Sequence, residues 1–79
     1  MVFEKNISQI FDINRKSHAV IQSCHTLAQL EGAVKYVEIV ENFYSHIECT
    51  DKLQSNYLKK SLDNIKTVLK IQKKKMAAY

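Results

Sequence analysis

Residues 26–54 read TLAQLEGAVKYVEIVENFYSHIECTDKLQ, and this stretch holds two helix starts and one uninterrupted apolar seam. At its head, Thr26 is placed to accept a hydrogen bond from the amide of Gln29 while the Gln29 side chain turns back, the reciprocal pattern of a capping box. A helix therefore begins at Leu27. From there Leu30, Ala33, Val37, Val40, Tyr44 and Ile47 recur at alternating spacings of three and four, which draws one face of a helix. The pattern breaks at Glu48-Cys49-Thr50. Asp51, with Gln54 three residues on, repeats the capping signature and suits the positive end of a helix dipole.

Working outward from this stretch, the third helix runs over about 51–77 on Leu58, Leu62, Ile65, Leu69 and Met76, with polar Gln72 at a seam position. At 1.5 Å per residue it reaches about 40 Å. On the other side, Phe3, Ile7, Ile10, Phe11, Asn14, His18 and Ile21 fit a helical stripe over about 3–23. The short connection between the second helix, about 27–47, and the third predicts antiparallel neighbours, a helical hairpin. With no Pro and one Gly, the chain lacks the turn residues that short strands need. The expected fold is all-α: a single domain over 1–79, built as a small three-helix unit around a long antiparallel hairpin.

A chain of 79 residues and 9.2 kDa removes only about 60 % of its unfolded surface from water, so its core is marginal alone and oligomerisation is a natural remedy. The second helix also carries more apolar surface than one seam uses. Val34, Tyr36, Ile39 and Phe43 lie beside or opposite the main seam and form a candidate interface, to be covered by the first helix, by a partner chain, or by both. A homo-oligomer is the expectation.

The formal net charge of +4 is unevenly spread: residues 1–51 hold four basic and seven acidic side chains, whereas residues 52–79 hold eight basic and one acidic. Lys52, Lys59, Lys66 and Lys73 recur every seven residues along the third helix, and Lys60, Lys70, Lys74 and Lys75 widen the patch. Such a stripe suits an anionic partner, either a nucleic acid backbone or a small nucleotide, with Tyr57 and Tyr79 placed to stack on bases. It equally suits the chain's own acids, because the second helix and its far end offer Glu31, Glu38, Glu41 and Glu48. Arg15 is the one arginine in the chain, which argues against bidentate reading of guanine.

Catalytic and metal-binding patterns find little support. Cys24, His25, His46 and Cys49 resemble a Cys/His metal set, but a continuous helix between them holds the two pairs about 30 Å apart, which also forbids a Cys24–Cys49 disulfide. Ser23 beside His25, and Ser45 beside His46, are sequence neighbours whose side chains diverge on a helix, so neither makes a nucleophile–base pair. No glycine-rich phosphate loop is available with Gly32 alone. The expectation is a non-enzyme without cofactor or metal. The basic segment Lys70–Met76 lacks the Trp, Phe or lipidation signal of a membrane anchor. The charged N-terminus is unlike a secretory signal, and two cysteines read as reduced thiols of a cytoplasmic protein.

A lone helical unit with no catalytic motif resembles, in style and not in residues, the small accessory proteins of phages and other mobile elements. The excess apolar surface of the second helix points to an oligomerising module that acts by binding, as a regulator or inhibitor of a host protein. The alternative is an anion binder that uses the lysine stripe.

Overall fold

Two glutamines set the helix starts. In the computed structural model, which describes residues 2–77, the amide of Gln29 donates to Thr26 Oγ1 at 3.2 Å and the Gln29 side chain accepts from the amide of His25 at 2.7 Å. The same exchange opens the last helix: the Gln54 amide donates to Asp51 Oδ1 at 2.9 Å, and the Gln54 side chain accepts from the Thr50 amide at 2.9 Å. In both cases the return bond lands one residue ahead of the cap, so each box also fixes the approach of the preceding chain.

Three helices follow, α1 (Ile7–Gln22), α2 (Leu27–Ser45) and α3 (Lys52–Ala77), and all three pack together. The fold is all-α, with no strand among the described residues. Each helix is shorter than its sequence pattern suggests. The first segment, expected as one helix from about residue 3, is a 3-10 turn over Glu4–Asn6 followed by α1. Its break is Asn6, whose backbone leaves the helical region and whose side chain donates to the Val2 carbonyl at 2.7 Å. Helix α2 stops two residues before Ile47, with His46 as its C-cap. Asp51 stands outside α3 as the residue that caps it.

The α2 seam is wholly internal: Leu30, Ala33, Val37, Val40, Tyr44 and, just past the helix, Ile47 are all buried. They meet Leu58, Ile65 and Leu69 of α3 and Ile10 and Ile21 of α1 in one core. The α1 stripe differs from the expected one. Ile7 and Phe11 are exposed, while Ser17 is fully buried. A serine tolerates this position because its hydroxyl donates to the Ile13 carbonyl at 2.7 Å and leaves no unmet polar group.

Where the three helices cross, a polar cluster interrupts the core. The Tyr44 hydroxyl donates to Asn14 Oδ1 at 2.5 Å, and Asn14 Nδ2 donates to the hydroxyls of Tyr57 and Ser61, both at 3.3 Å. One asparagine on α1 thus engages α2 and α3 together. The ends of the bundle are tied separately. Gln72 Nε2 donates to the Cys24 carbonyl at 2.8 Å, which accounts for a polar residue on the α3 seam. At the opposite end the Phe3 amide donates to the Glu48 carbonyl at 3.0 Å, and an isolated bridge joins Val2 to Glu48.

The body measures 45 × 17 × 16 Å. Its accessible surface is 5684 Å², against about 4,900 Å² for a compact monomer of this mass. This thin shape leaves much of each helix in water.

Candidate interaction surface

The polar side of α3 carries every candidate anion-binding lysine, and Lys52, Lys59, Lys60, Lys66, Lys70, Lys73 and Lys74 are all exposed. The stripe is not a uniform positive field, because α2 supplies acids along its edge. Lys66 forms an ion pair with Glu41. Lys70 and Lys73 line a groove with Glu38, Glu41 and Val34, and Lys59 lines a neighbouring hollow that also holds Glu41. Lys60 and Lys74 stand away from both grooves. Salt screens exposed charges of this kind, so an ion pair such as Lys66–Glu41 is worth about 0–1 kcal/mol.

The two tyrosines assigned to base stacking divide. Tyr79 lies outside the described residues. Tyr57 is half-buried and packs edge-on against Phe3 and Phe11, with ring centroids 6.0 and 5.7 Å away. Its hydroxyl accepts from Asn14, so its ring belongs to the rim of the core and its faces are not a free stacking platform.

The four candidate interface residues do not share one surface. Val34 sits in the α2–α3 groove beside Lys66 and Lys73. Tyr36 and Phe43 are half-buried and pack against the core, as does Val34. Ile39 alone stays out, 67 % exposed, and it shares a shallow depression with Asn42, Phe43 and His46. Around it, at 100° per residue, the outward side of α2 also presents Ala28 and Gly32, both exposed. A Cβ added at Gly32 would meet nothing within 4 Å. This outer strip of Ala28, Gly32, Tyr36, Ile39 and Phe43 was only half visible in the sequence, since alanine and glycine carry little hydrophobic signal.

A second exposed apolar area lies where α1 meets α3. Phe11 is 52 % exposed and Leu53 79 % exposed, flanking Tyr57. Sequence reasoning assigned Phe11 to the core stripe and gave Leu53 no role.

Cys24 and Cys49 are free thiols, Cys24 buried and donating to the Val20 carbonyl at 3.3 Å. Among the described residues no three His, Cys, Asp or Glu side chains converge as a metal group. His46 Nδ1 is 2.7 Å from the Asn42 carbonyl, a contact that finishes the end of α2. Burial raises the pKa of the Tyr44 hydroxyl well above its ordinary value, and the nearby Tyr57 and Tyr36 hydroxyls add to the shift. No helix among the described residues is long and apolar enough to cross a membrane. Comparison of the chain with protein-family models, with curated proteins and with solved structures finds no match.

Proposed function

We propose that this protein is a non-enzymatic, oligomerising helical binding module, organised on an antiparallel α2–α3 hairpin and working in the cytoplasm as a regulator or inhibitor of a host protein. In style, though not in residues, it resembles the small accessory proteins of phages and mobile elements. The observation that carries this reading is the outer strip of α2, where Ile39 stands 67 % exposed beside a partly covered aromatic. A solvent-facing apolar strip on a helix that is already packed on its inner side marks an association surface. The hairpin reading is supported by the reversed order of contacts, with Gln72 at Cys24 and Lys66 at Glu41.

The second reading, an anion binder for nucleic acid or a small nucleotide, is favoured by exposed Lys60 and Lys74, which line neither of the two grooves that hold Glu38 and Glu41. One measurement separates the two: absolute mass by light scattering at low and high salt, with absorbance at 260 and 280 nm on the same peak. A nucleotide-free multiple of 9.2 kDa that persists at high salt is the expected result. A peak that absorbs more strongly at 260 nm and sheds that absorbance in salt shifts the assignment to the lysines.

A further inference from the structure

The fold gives Cys24 and His25 a neighbour that the sequence does not. Read along the chain, they pair with His46 and Cys49, which lie at the far end of α2. Helix α3 returns past them instead. Gln72 Nε2 donates to the Cys24 carbonyl at 2.8 Å, and one turn further on Met76 joins Cys24 and His25 around a hollow of about 480 Å³ at this end of the bundle. No three His, Cys, Asp or Glu side chains converge among the described residues, so the thioether is what turns this pair of metal-ligating groups into a trio. The three are graded by depth: Cys24 is 3 % exposed, Met76 is half-buried and His25 stands exposed at the rim. Their backbone is fixed as well. Besides the Gln72 bond, the Cys24 amide donates to the Ile21 carbonyl at 3.2 Å and the His25 amide donates to the Gln29 side chain at 2.7 Å. Ligands on a held backbone close on an ion at little ordering cost.

We propose that Cys24 Sγ, a ring nitrogen of His25 and Met76 Sδ together hold one monovalent copper ion. The donor set selects the metal. Thiolate and thioether are soft ligands that favour Cu(I), and imidazole suits it too, whereas Mg²⁺ and Ca²⁺ demand oxygen and Zn²⁺ sites are built from Cys, His and carboxylate. Lys75 lines the same hollow, and a cation there favours the thiolate over the thiol. On binding, the thiol proton now donated to the Val20 carbonyl is released to solvent, an Sγ–Cu bond forms, and no electron is transferred. Methionine is long and unbranched, so Met76 brings its sulfur to the ion by changing rotamer while α3 stays in place. The site is independent of the binding-module reading. Its consequence is mechanical, because one ion then staples the last turns of α3 to the α1–α2 linker.

The test titrates the whole chain, reduced and free of oxygen, with Cu(I) held by the competing chelator bicinchoninate, and checks folding by far-ultraviolet circular dichroism. The wild type is expected to draw one copper per chain from the chelator. Met76→Leu conserves volume and so keeps the fold. It is expected to weaken binding by at least about tenfold, the scale lost even with partners outside a ligand set. Cys24→Ala is expected to abolish binding. Cys49→Ser removes a thiol that lines a different hollow and is expected to leave affinity and stoichiometry unchanged. A second readout is trypsin cleavage after the exposed Lys73, Lys74 and Lys75: one equivalent of copper is expected to slow it in wild type and not in Met76→Leu. Equal affinity in wild type and Met76→Leu overturns the thioether ligand and with it the site. Loss of binding in Cys49→Ser, or one copper per two chains, places the ion elsewhere and overturns it too. A wild type that takes no copper from bicinchoninate overturns the proposal outright and leaves the module reading untouched.

Discussion

Helix α2 has two apolar sides, and they obey different rules. The inner side, from Leu30 to Tyr44, is a run of mostly large side chains that are all buried. The outer side, from Ala28 to Phe43, leaves Ala28, Gly32 and Ile39 in water and half-buries Tyr36 and Phe43. Hydrophobicity alone does not separate the two. The inner seam is identified by spacing that continues on α3, whereas the outer strip becomes visible only once the neighbouring helices have taken their places.

The comparison predicts its largest effects on the inner side. Val37→Ala removes buried methyls from the α2 seam, and Ile65→Ala does so from a fully buried position that faces it. Ile65→Ala is expected to cost about 2–5 kcal/mol, and Val37→Ala a smaller share, read as the shift in denaturant midpoint. Equal midpoints for Ile65→Ala and wild type would mean that the core is not where the buried seam places it.

Next comes the polar cluster. Tyr44→Phe leaves Asn14 Oδ1 without its donor and is expected to cost about 1–3 kcal/mol, checked by the same denaturation curves. It should also change the response to alkali. The folded state holds the Tyr44 proton more tightly than the unfolded chain, whose hydroxyl has the ordinary pKa of 10.0. The associated stability is therefore complete below that value and is lost as pH rises through the raised folded value. A midpoint series from pH 8 upward should fall more steeply for wild type than for Tyr44→Phe. Parallel curves would remove Tyr44 as the cause.

The outer side should respond weakly or with the opposite sign. Gly32→Ala relieves a helix-interior glycine and is expected to stabilise the monomer by about 0.5–1 kcal/mol, seen as a higher melting temperature at low concentration. A destabilised Gly32→Ala monomer would show that the outer strip is covered within the chain itself. Smallest of all, Ile39→Ser is expected to leave monomer stability within about 0.5 kcal/mol, because the side chain it trims is largely in water. A loss comparable to that of Val37→Ala would erase the distinction between the two sides.

The same contrast explains what the sequence could reveal. Helix starts at Thr26 and Asp51, and the α2 seam, were legible because capping and periodicity are local properties. The α1 stripe was less so. Ile7 and Phe11 match a helical period but lie on the side that faces water, while Ser17 is internal because it can satisfy its hydroxyl on the turn before. Asn14 stood out as a polar member of an apolar stripe, yet its partners Tyr44, Tyr57 and Ser61 come from two other helices, and no local pattern names them. The candidate site suffered most. The lysine heptad was plain in the sequence, but whether those lysines meet solvent or Glu38 and Glu41 depends on how α3 lies against α2. Val34 and Ile39 read as one greasy surplus, though they end on different sides of α2.

The bond from the Phe3 amide to the Glu48 carbonyl ties the start of the described chain to the link between α2 and α3. It turns the first two helices into a closed ring and makes α3 the one free arm. Among the described residues past Gln72, whose side chain holds the Cys24 carbonyl, half-buried Met76 is the one that packs against the core. Opening should therefore start there and travel inward, with amide exchange fastest in the lysine-rich last turns and slowest where the ring and the arm share Ile65.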